Sequence, residues 1–300
     1  MDQLAAMRAL RRVVELGSFT AAGAALGVSH TIVSRQVRQL ETQLGAQLLN
    51  RTTRRFALTA AGQEYYEASR HILDALDDAD RAVGQHHARP SGRLRINAPM
   101  AFGTLELATW LPQFIAQYPE LQIDLVCNDR IVDLIEDGFD VALRLTRDLP
   151  DSTLIARRLA SSQVMLVAAP AYLQRHGAPR TPAELLQHNC LAYTQLSRPH
   201  DWRFTAPDGA RETVTVTGNF QANTGIALRT AALAGTGIAT TASFIVHEDI
   251  RSGTLLQVLP DYAIRPRELY VLYPQNRHLS PKVRVFVDFA SELYKRRDWD

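Results

Sequence analysis

Apolar and polar positions at the start of the chain repeat with the period of amphipathic helices. Residues 2–16 predict a first helix, because apolar side chains recur every three or four positions. Residues 18–26 and 29–44 predict two short helices joined by a tight turn. Ser18 and Ser29 can cap them, since a serine hydroxyl accepts a hydrogen bond from a free N–H of the first turn. The spacing is typical of a helix–turn–helix.

The third predicted helix has two unlike faces. Its apolar residues fall within one arc, and the opposite face carries hydroxyl groups, a histidine and two arginines. Such a face suits the DNA major groove, where arginine grips guanine or phosphate and small side chains allow close approach. A solvated face is the alternative, but it would carry mixed charges, and only Glu41 at the margin is acidic. The predicted DNA contacts here are Ser18, Thr20, Ser29, His30, Thr31, Ser34, Arg35 and Arg38.

Two short apolar segments at residues 48–49 and 56–58 predict a hairpin, the wing. Its tip is basic and rich in hydroxyl groups, so it can lie along phosphates or enter the minor groove. An exposed hairpin kept soluble by its charge is the alternative, and the lack of acids between the arginines favours DNA. The predicted wing contacts are Arg51, Thr52, Thr53, Arg54 and Arg55.

A long helix is predicted from Thr59 to about residue 87. Its seam residues are spaced as in a heptad repeat, which predicts pairing with a twin helix. A helix packed on its own domain is the alternative, but a length of roughly 40 Å favours a dimerising linker. Residues 88–92, with proline and glycine, predict the domain boundary. The residues expected at the dimer interface are Tyr65, Ile72, Leu76, Ala79 and Val83.

Strands and helices alternate after the boundary. The pattern predicts an α/β body with parallel strands, long enough for two subdomains with a cleft between them. The predicted strands cover residues 94–98, 123–127, 140–144, 164–168, 190–193 and 269–273, and the predicted helices 103–117, 131–137, 182–188, 224–234 and 280–295.

Charge is distributed unevenly along an otherwise ordinary composition of 46% apolar and 21% charged residues. The net charge of the chain is +2, but residues 1–62 hold eight arginines against three acids. A basic head on a neutral body is expected of a DNA-binding domain joined to a second function.

No export signal or membrane-spanning segment is evident, so we expect a cytoplasmic protein. Cys127 and Cys190 are expected to be buried or half-buried thiols, with a redox-sensing pair as the alternative.

Catalytic motifs are missing from the sequence. It has no GxSxG, HExxH or P-loop pattern, and its nine histidines are scattered. We therefore expect no enzyme, no catalytic residue, no metal and no cofactor. A solute-binding protein would share the fold of the body, but it would need an export signal and would not carry the basic head.

Several motifs resemble those of the LysR-type transcriptional regulators, over essentially the full chain. They include residues 17–22, 26–29, 33–37 and 51–54 in the head, and 92–96, 140–144, 235–238 and 281–284 in the body. Thr31 departs from the family pattern, since many members carry proline there. A hydroxyl at this position could change base preference.

The resemblance implies an N-terminal all-α winged helix–turn–helix, a linker helix and an α/β effector domain of two periplasmic-binding-protein-like subdomains. The implied limits are 1–59 for the DNA-binding domain, 60–91 for the linker and hinge, and 92–300 for the effector domain, with subdomain I at about 92–162 and 268–300 and subdomain II at about 163–267.

The resemblance also implies a function. A homodimer or homotetramer would bind double-stranded operator DNA, and a small-molecule effector in the cleft, an organic anion or an aromatic metabolite, would modulate that binding. RNA polymerase is a further candidate partner. The alternative is a DNA-binding protein that responds to no ligand and whose C-terminal domain serves only oligomerisation.

Effector contacts are assigned by position in the family pattern. For each, a loop or cap residue without a ligand is the alternative. Met100 departs from the small hydroxylated residues common there, which counts against an acid-binding cleft. The assigned residues are Pro99, Met100, Ala101, Cys127, Asn128, Arg144, Thr146, Gln195, Trp202, Asn223 and Thr224.

Replacing Arg54 by alanine should lower affinity for all DNA sequences alike and flatten the dependence of binding on salt. The reason is that a phosphate contact releases counterions and carries no sequence information. Titrations of an operator and of a scrambled duplex at several salt concentrations would measure both effects. An unchanged salt slope would argue against the placement of the wing on DNA.

Overall fold

The computed structural model describes residues 2–51, 56–84, 89–130, 132–149, 152–275 and 279–296. The chain divides into two units, Met1–Ala88 and Arg89–Asp300. The finer limits predicted at residues 59 and 91, and those of the two subdomains, stay predictions.

Three helices form the core of the first unit: α1 (Gln3–Leu16), α2 (Phe19–Leu26) and α3 (His30–Leu44). The predicted caps are confirmed: the Ser18 hydroxyl accepts from the Ala21 N–H at 3.2 Å, and the Ser29 hydroxyl from the Ile32 N–H at 3.3 Å. The buried side chains that join the helices include Leu10, Val13, Ala22, Val33, Val37, Leu40, Leu48 and Leu49.

Two glycines in this unit allow backbone segments to approach closely. A β-carbon on Gly23 would lie 2.7 Å from the carbonyl oxygen of Val28, and one on Gly62 would lie 1.9 Å from that of Leu48. Neither contact is tolerable, because an obstructing backbone cannot rotate away as a side chain can. Glycine at these positions is therefore a packing requirement of the turn and of the wing junction.

The wing consists of β1 (Leu49–Arg51) and β2 (Phe56–Leu58), which pair antiparallel. Glu41 of α3 holds its base, since one carboxylate oxygen accepts from the N–H groups of Leu48 and Leu49 at 3.0 and 3.1 Å. The single acid of α3 thus fixes the wing against the helix. The tip residues 52–55 and the Arg51 side chain lie outside the described part of the chain.

Helix α4 (Ala60–Gly84) packs one face on α1 through the buried side chains of Tyr66 and Leu73. Ion pairs flank this contact, with Arg11 and Asp74 at 2.8 Å and Arg8 and Asp77 at 3.4 Å.

The second unit is built on one long sheet with the strand order β10-β7-β11-β6-β13-β5-β3-β4, and β12 pairs with β6. A separate hairpin joins β8 to β9. The strands are β3 (Gly92–Ala98), β4 (Leu121–Cys127), β5 (Val141–Thr146), β6 (Leu154–Ala168), β7 (Cys190–Tyr193), β8 (Asp201–Thr205), β9 (Arg211–Thr215), β10 (Gln221–Ala222), β11 (Ile238–Ala242), β12 (Leu256–Val258) and β13 (Ile264–Pro274).

Helices cover the sheet of the second unit. The first runs from Met100 to Gln117 as α5 (Met100–Phe102), a π-helical segment (Gly103–Leu107) and α6 (Ala108–Gln117). The others are α7 (Pro170–His176), a 3-10 helix (Pro182–Gln187), α8 (Gly225–Leu233), α9 (Ser243–Ser252) and α10 (Pro281–Lys295).

The two largest apolar regions of this unit pack against different parts of the sheet. In one, Trp110, Phe114 and Phe286 pack together, with ring centroids 5.8 Å apart for Trp110 and Phe286 and 5.4 Å for Phe114 and Phe286. In the other, Tyr172, Trp202 and Phe204 are buried.

The prediction of parallel strands is wrong for the centre of the sheet. Strand β13 runs antiparallel to β5 and β6, and β11 antiparallel to β6, whereas β3 is parallel to β4 and β5. Strands β6 and β13 are also far longer than the predicted segments, since their outer parts are exposed and lack an apolar signature.

The helix predicted at residues 131–137 is also wrong. The described residues of this stretch form turns, and the Asp133 carboxylate accepts from the N–H groups of Ile135 and Glu136 at 2.9 and 3.0 Å. A side chain that binds the local backbone in this way competes with helix formation. The elements that were not predicted are β8, β9, β10, β11, β12, α7 and α9, and the segment predicted at 182–188 is a 3-10 helix.

Both cysteines are free thiols, and Cys127 is half-buried. Cys190 is fully buried, and burial raises its pKa to about 12.

Within the described residues, no helix is long and apolar enough to cross a membrane.

Replacing Glu41 by alanine should speed amide exchange at Leu48 and Leu49 by about ten- to a hundredfold, because each amide loses a charged acceptor. Hydrogen exchange followed by NMR or mass spectrometry would measure this. Glu64→Ala, an exposed site on α4, is the matched control and should leave both amides protected. Unchanged exchange in the Glu41 variant would contradict a role in holding the wing.

Candidate functional site

Helix α3 presents a polar surface to solvent. His30, Thr31, Arg35 and Arg38 are exposed and Ser34 is half-buried. On the opposite face Val33, Val37 and Leu40 are buried, and Leu44 at the end of the helix is exposed. The predicted division of the helix into two faces is therefore confirmed. Contact between the polar face and DNA stays a prediction.

Arginines of α1 and α3 differ in their partners. Arg8, Arg11 and Arg12 form ion pairs with acids of α1 and α4. The guanidinium groups of Arg35 and Arg38 make no hydrogen bond or ion pair with any residue that the structure describes. Among these arginines, the positive charge that remains available to a polyanion thus lies on α3.

Hydroxyl groups at the two helix starts are partly used by the fold. Ser18 and Ser29 accept backbone N–H groups, so their O–H groups stay available as donors. Thr20 is exposed beside Ser18. Of the predicted wing contacts, residues 52–55 lie outside the described part, so their role in DNA binding stays a prediction.

The predicted dimer seam on α4 differs in exposure along its length. Ile72 is 49% exposed and Leu76 is half-buried, whereas Tyr65 packs partly on the core of its own unit. The side chains of Ala79 and Val83 lie outside the described part. An exposed isoleucine on a regular helix is a suitable dimer contact, but the seam stays a prediction.

A cleft of about 1100 Å³ opens in the second unit, above the ends of β3, β5 and β7 and beside β13. The predicted residues that line it are Pro99, Asn128, Arg144, Thr146 and Gln195. A smaller cavity of about 50 Å³ adjoins Pro99 and Asp129 and includes Ala101. The structure therefore brings six of the assigned residues to one region.

Asp129 occupies the start of the helix that begins at Met100. Its carboxylate accepts from the N–H of Met100, one of the assigned effector residues, at 3.0 Å. Burial raises the pKa of Asp129, while the Met100 N–H and the charges of Arg267 and Arg144 act to lower it. The protein thus supplies its own anion at this point.

Arg144 is held by a buried amide. Its Nη1 donates to the side-chain oxygen of Asn97 at 2.6 Å and to the Leu143 carbonyl at 2.8 Å. Asn97 is fully buried, and its own NH2 group donates to the Val126 carbonyl at 3.2 Å. Burial lowers the pKa of Arg144, and Asp129 opposes that effect. This chain of contacts fixes the direction in which the guanidinium enters the cleft.

Arg267 and Tyr193 form the opposite wall. The Arg267 guanidinium lies 5.3 Å from the centroid of the Tyr193 ring. Burial raises the pKa of Tyr193 to about 12. Burial also lowers the pKa of Arg267, and the neighbouring Tyr193 and Asp129 partly oppose that lowering. Both side chains line the large and the small cavity.

Four assigned effector residues lie elsewhere. Trp202 is 4% exposed in the apolar region beneath β8 and donates to the Pro199 carbonyl at 3.2 Å, so it serves the core and not the cleft wall. The Cys127 sulfur faces Gly103, Thr224 caps α8, and Asn223 is exposed beside it. Met100 reaches the site through its N–H group.

The arginines of β8 and β13 in the cleft were not predicted, and neither were Asp129, Arg147 and Asn97. Asp129 and Arg147 directly follow segments that were assigned, so strand ends could have suggested them. No local pattern indicates Arg203, Arg265 or Arg267. Arg203 lies on β8, and the other two lie on β13, whose place in the sheet depends on pairing with strands far away in the sequence.

Family models match both units. The model for "Bacterial regulatory helix-turn-helix protein, lysR family" covers residues 4–63, and the model for "LysR substrate binding domain" covers residues 87–295. An HTH-type transcriptional regulator of Xanthomonas campestris pv. campestris (strain 8004) is 41% identical over 282 residues, which are 93% of this chain and 81% of that protein.

Solved structures agree over the full length. CrgA, a LysR-type transcriptional regulator from Neisseria meningitidis, superposes with a TM-score of 0.63 and 33% identity, covering 97% of this chain and 98% of that one. The Vibrio cholerae virulence activator AphB superposes with a TM-score of 0.62 and 31% identity, covering 96% and 98%. The predicted fold class, a helix–turn–helix followed by a two-part α/β effector domain, is confirmed.

Replacing Arg35 by alanine should weaken binding to the specific operator by ~1–3 kcal/mol and relax the base preference at one position, if Arg35 contacts a base edge. Competition titrations with single-base operator variants would measure it. Arg12→Ala, an exposed arginine that is paired with Glu15, is the matched control. Equal losses on specific and random DNA would assign Arg35 to phosphate instead.

Proposed function

From the premise that the chain belongs to the family of LysR-type transcriptional regulators, we propose that it regulates transcription through contacts of α3 and the wing with the two grooves of operator DNA. Proteins of this family are transcriptional regulators and not enzymes, and they bind DNA and small-molecule effectors. The exposed, unpaired arginines of α3 are the observation that carries the proposed contacts.

The proposed assembly is a homodimer paired along α4, or a tetramer of two such dimers. Ile72 supports this, because a large apolar side chain left half exposed on a helix gains by pairing with its twin. Two copies of α3 would then face half-sites of one operator, which requires a site with dyad symmetry. A DNA partner supports the cytoplasm as the proposed location, and RNA polymerase is a further candidate partner.

The proposed effector site is the cleft of the second unit. A volume of about 1100 Å³ is ample for a small metabolite, and charged side chains converge on it from several strands. A C-terminal domain that served only oligomerisation would need no such cleft. Ligand-modulated DNA binding is thus better supported than the ligand-independent alternative.

The first test is a footprint of the protein on the DNA upstream of its own gene, at several salt concentrations. We expect a protected, dyad-symmetric site that extends over several helical turns. Diffuse binding that disappears with salt, on this and on other candidate promoters, would contradict sequence-specific regulation.

Replacing Ile72 by glutamate should shift the assembly toward monomers and weaken operator binding, because a charge would be buried in the proposed seam. Sedimentation and operator titration would measure the two effects. Gln63→Glu is the matched control, since residue 63 is exposed about half a turn around the same helix. An unchanged assembly in the Ile72 variant would place the dimer contact elsewhere.

A further inference from the structure

Four guanidinium groups face one another in the cleft, and we name them the arginine cluster: Arg147, Arg203, Arg265 and Arg267. Arg147 follows β5, Arg203 lies on β8, and the other two lie on β13. The pKa of Arg147 is lowered first by burial and then by the positive charges of Arg267, Arg265 and Arg203. Like charges are thus held close together, from segments far apart in the sequence.

Acids around the cluster do not balance it. Asp148 pairs with Arg265, with 2.9 Å between Oδ1 and Nη2, and Asp129 lies near Arg267 and Arg144. The lining of the cleft carries seven arginines against four aspartates, an excess of three positive charges. They are Arg130, Arg144, Arg147, Arg198, Arg203, Arg265 and Arg267, and Asp129, Asp133, Asp148 and Asp201.

Two donors in this region have no acceptor. Nε of Arg147 and Nη2 of Arg144 are buried without a hydrogen-bond partner in the part of the chain that the structure describes. A buried donor of a charged group that lacks an acceptor is costly, and native structures rarely leave one unexplained. Both arginines line the cleft, so a ligand oxygen there would satisfy the two donors.

We propose that the cleft binds a small organic anion with two or more negative charges, such as a di- or tricarboxylate or a phosphorylated metabolite. The anion accepts from Arg144 and Arg147 and neutralises the arginine cluster. This inference rests on the proposed function only in taking the cleft as the effector site. A single carboxylate would leave most of the charge excess uncompensated, which is why the class is multivalent.

Asp129 acts in this scheme as an internal competitor of the ligand. It places a negative charge beside Arg144 and Arg267 while it binds the Met100 N–H. Asparagine at this position keeps an oxygen that can accept from Met100 and removes only the charge. Asp129→Asn should therefore tighten binding of a multivalent anion, whereas loss of an arginine should weaken it.

Calorimetric titration of the full-length protein tests this, with citrate and inorganic pyrophosphate as probes and acetate as the monovalent control at matched ionic strength. We expect citrate or pyrophosphate to bind at about one site per chain, and acetate to bind far more weakly. The probe that binds more tightly distinguishes carboxylate from phosphate chemistry. Binding of neither probe above the level of acetate would overturn the proposal.

Three variants assign the binding to the cleft. Arg147→Gln should weaken it by about ten- to a hundredfold, the effect of losing a hydrogen bond to a charged group. Asp129→Asn should strengthen it. Arg211→Gln, at an exposed arginine of β9 that does not line the cleft, should leave it unchanged. Equal behaviour of all three variants would mean an adventitious ion only and would overturn the proposal.

Thermal unfolding of each free variant separates binding from folding. Arg147→Gln removes like-charge repulsion and should not lower Tm, so weaker anion binding by this variant cannot be assigned to unfolding. The operator footprint reports on the proposed function independently. A specific footprint without anion binding would reject this inference alone, whereas anion binding without any footprint would reject the proposed DNA contacts alone.

Discussion

The pairing of β6 with β13 is the constraint on which the second unit depends. These strands run antiparallel from Leu154 opposite Pro274 to Val164 opposite Ile264, so they extend past both apolar regions of the sheet. The register shifts between Ile264 and Arg267, where Pro266 cannot donate to the ladder. Bulges of this kind redirect side chains. Here Arg265 reaches Asp148, and Arg267 reaches Tyr193.

The two units differ in where their arginines lack neighbouring acids. In the first, acids of α1 and α4 neutralise the arginines of α1, and Glu41 is used for the wing, which leaves the positive charge of α3 free. In the second, the arginines that remain in excess surround a concave space. An exposed cationic helix suits an extended polyanion, whereas a concave cationic cleft suits a small organic anion. The two surfaces therefore select different classes of partner.

Local patterns predicted the first unit well and the cleft only in part. Helix caps, the two faces of α3 and strand ends such as Arg144 depend on neighbours within a few residues, so the sequence reveals them. The antiparallel course of β13 depends on pairing with strands more than a hundred residues away in the sequence. For that reason Arg265 and Arg267 were missed, and Trp202 was assigned to a cleft although its side chain completes a core.

Asp129 balances part of the positive charge that lines the cleft. Several guanidinium groups brought together from separate strands repel one another, and burial of each carries a desolvation cost. Asp129 offsets part of that repulsion and is itself held by the Met100 N–H. It cannot offset all of it, because one carboxylate faces several cations. The remaining positive charge lies on side chains from several strands around the cleft, so the anion that we propose would offset it.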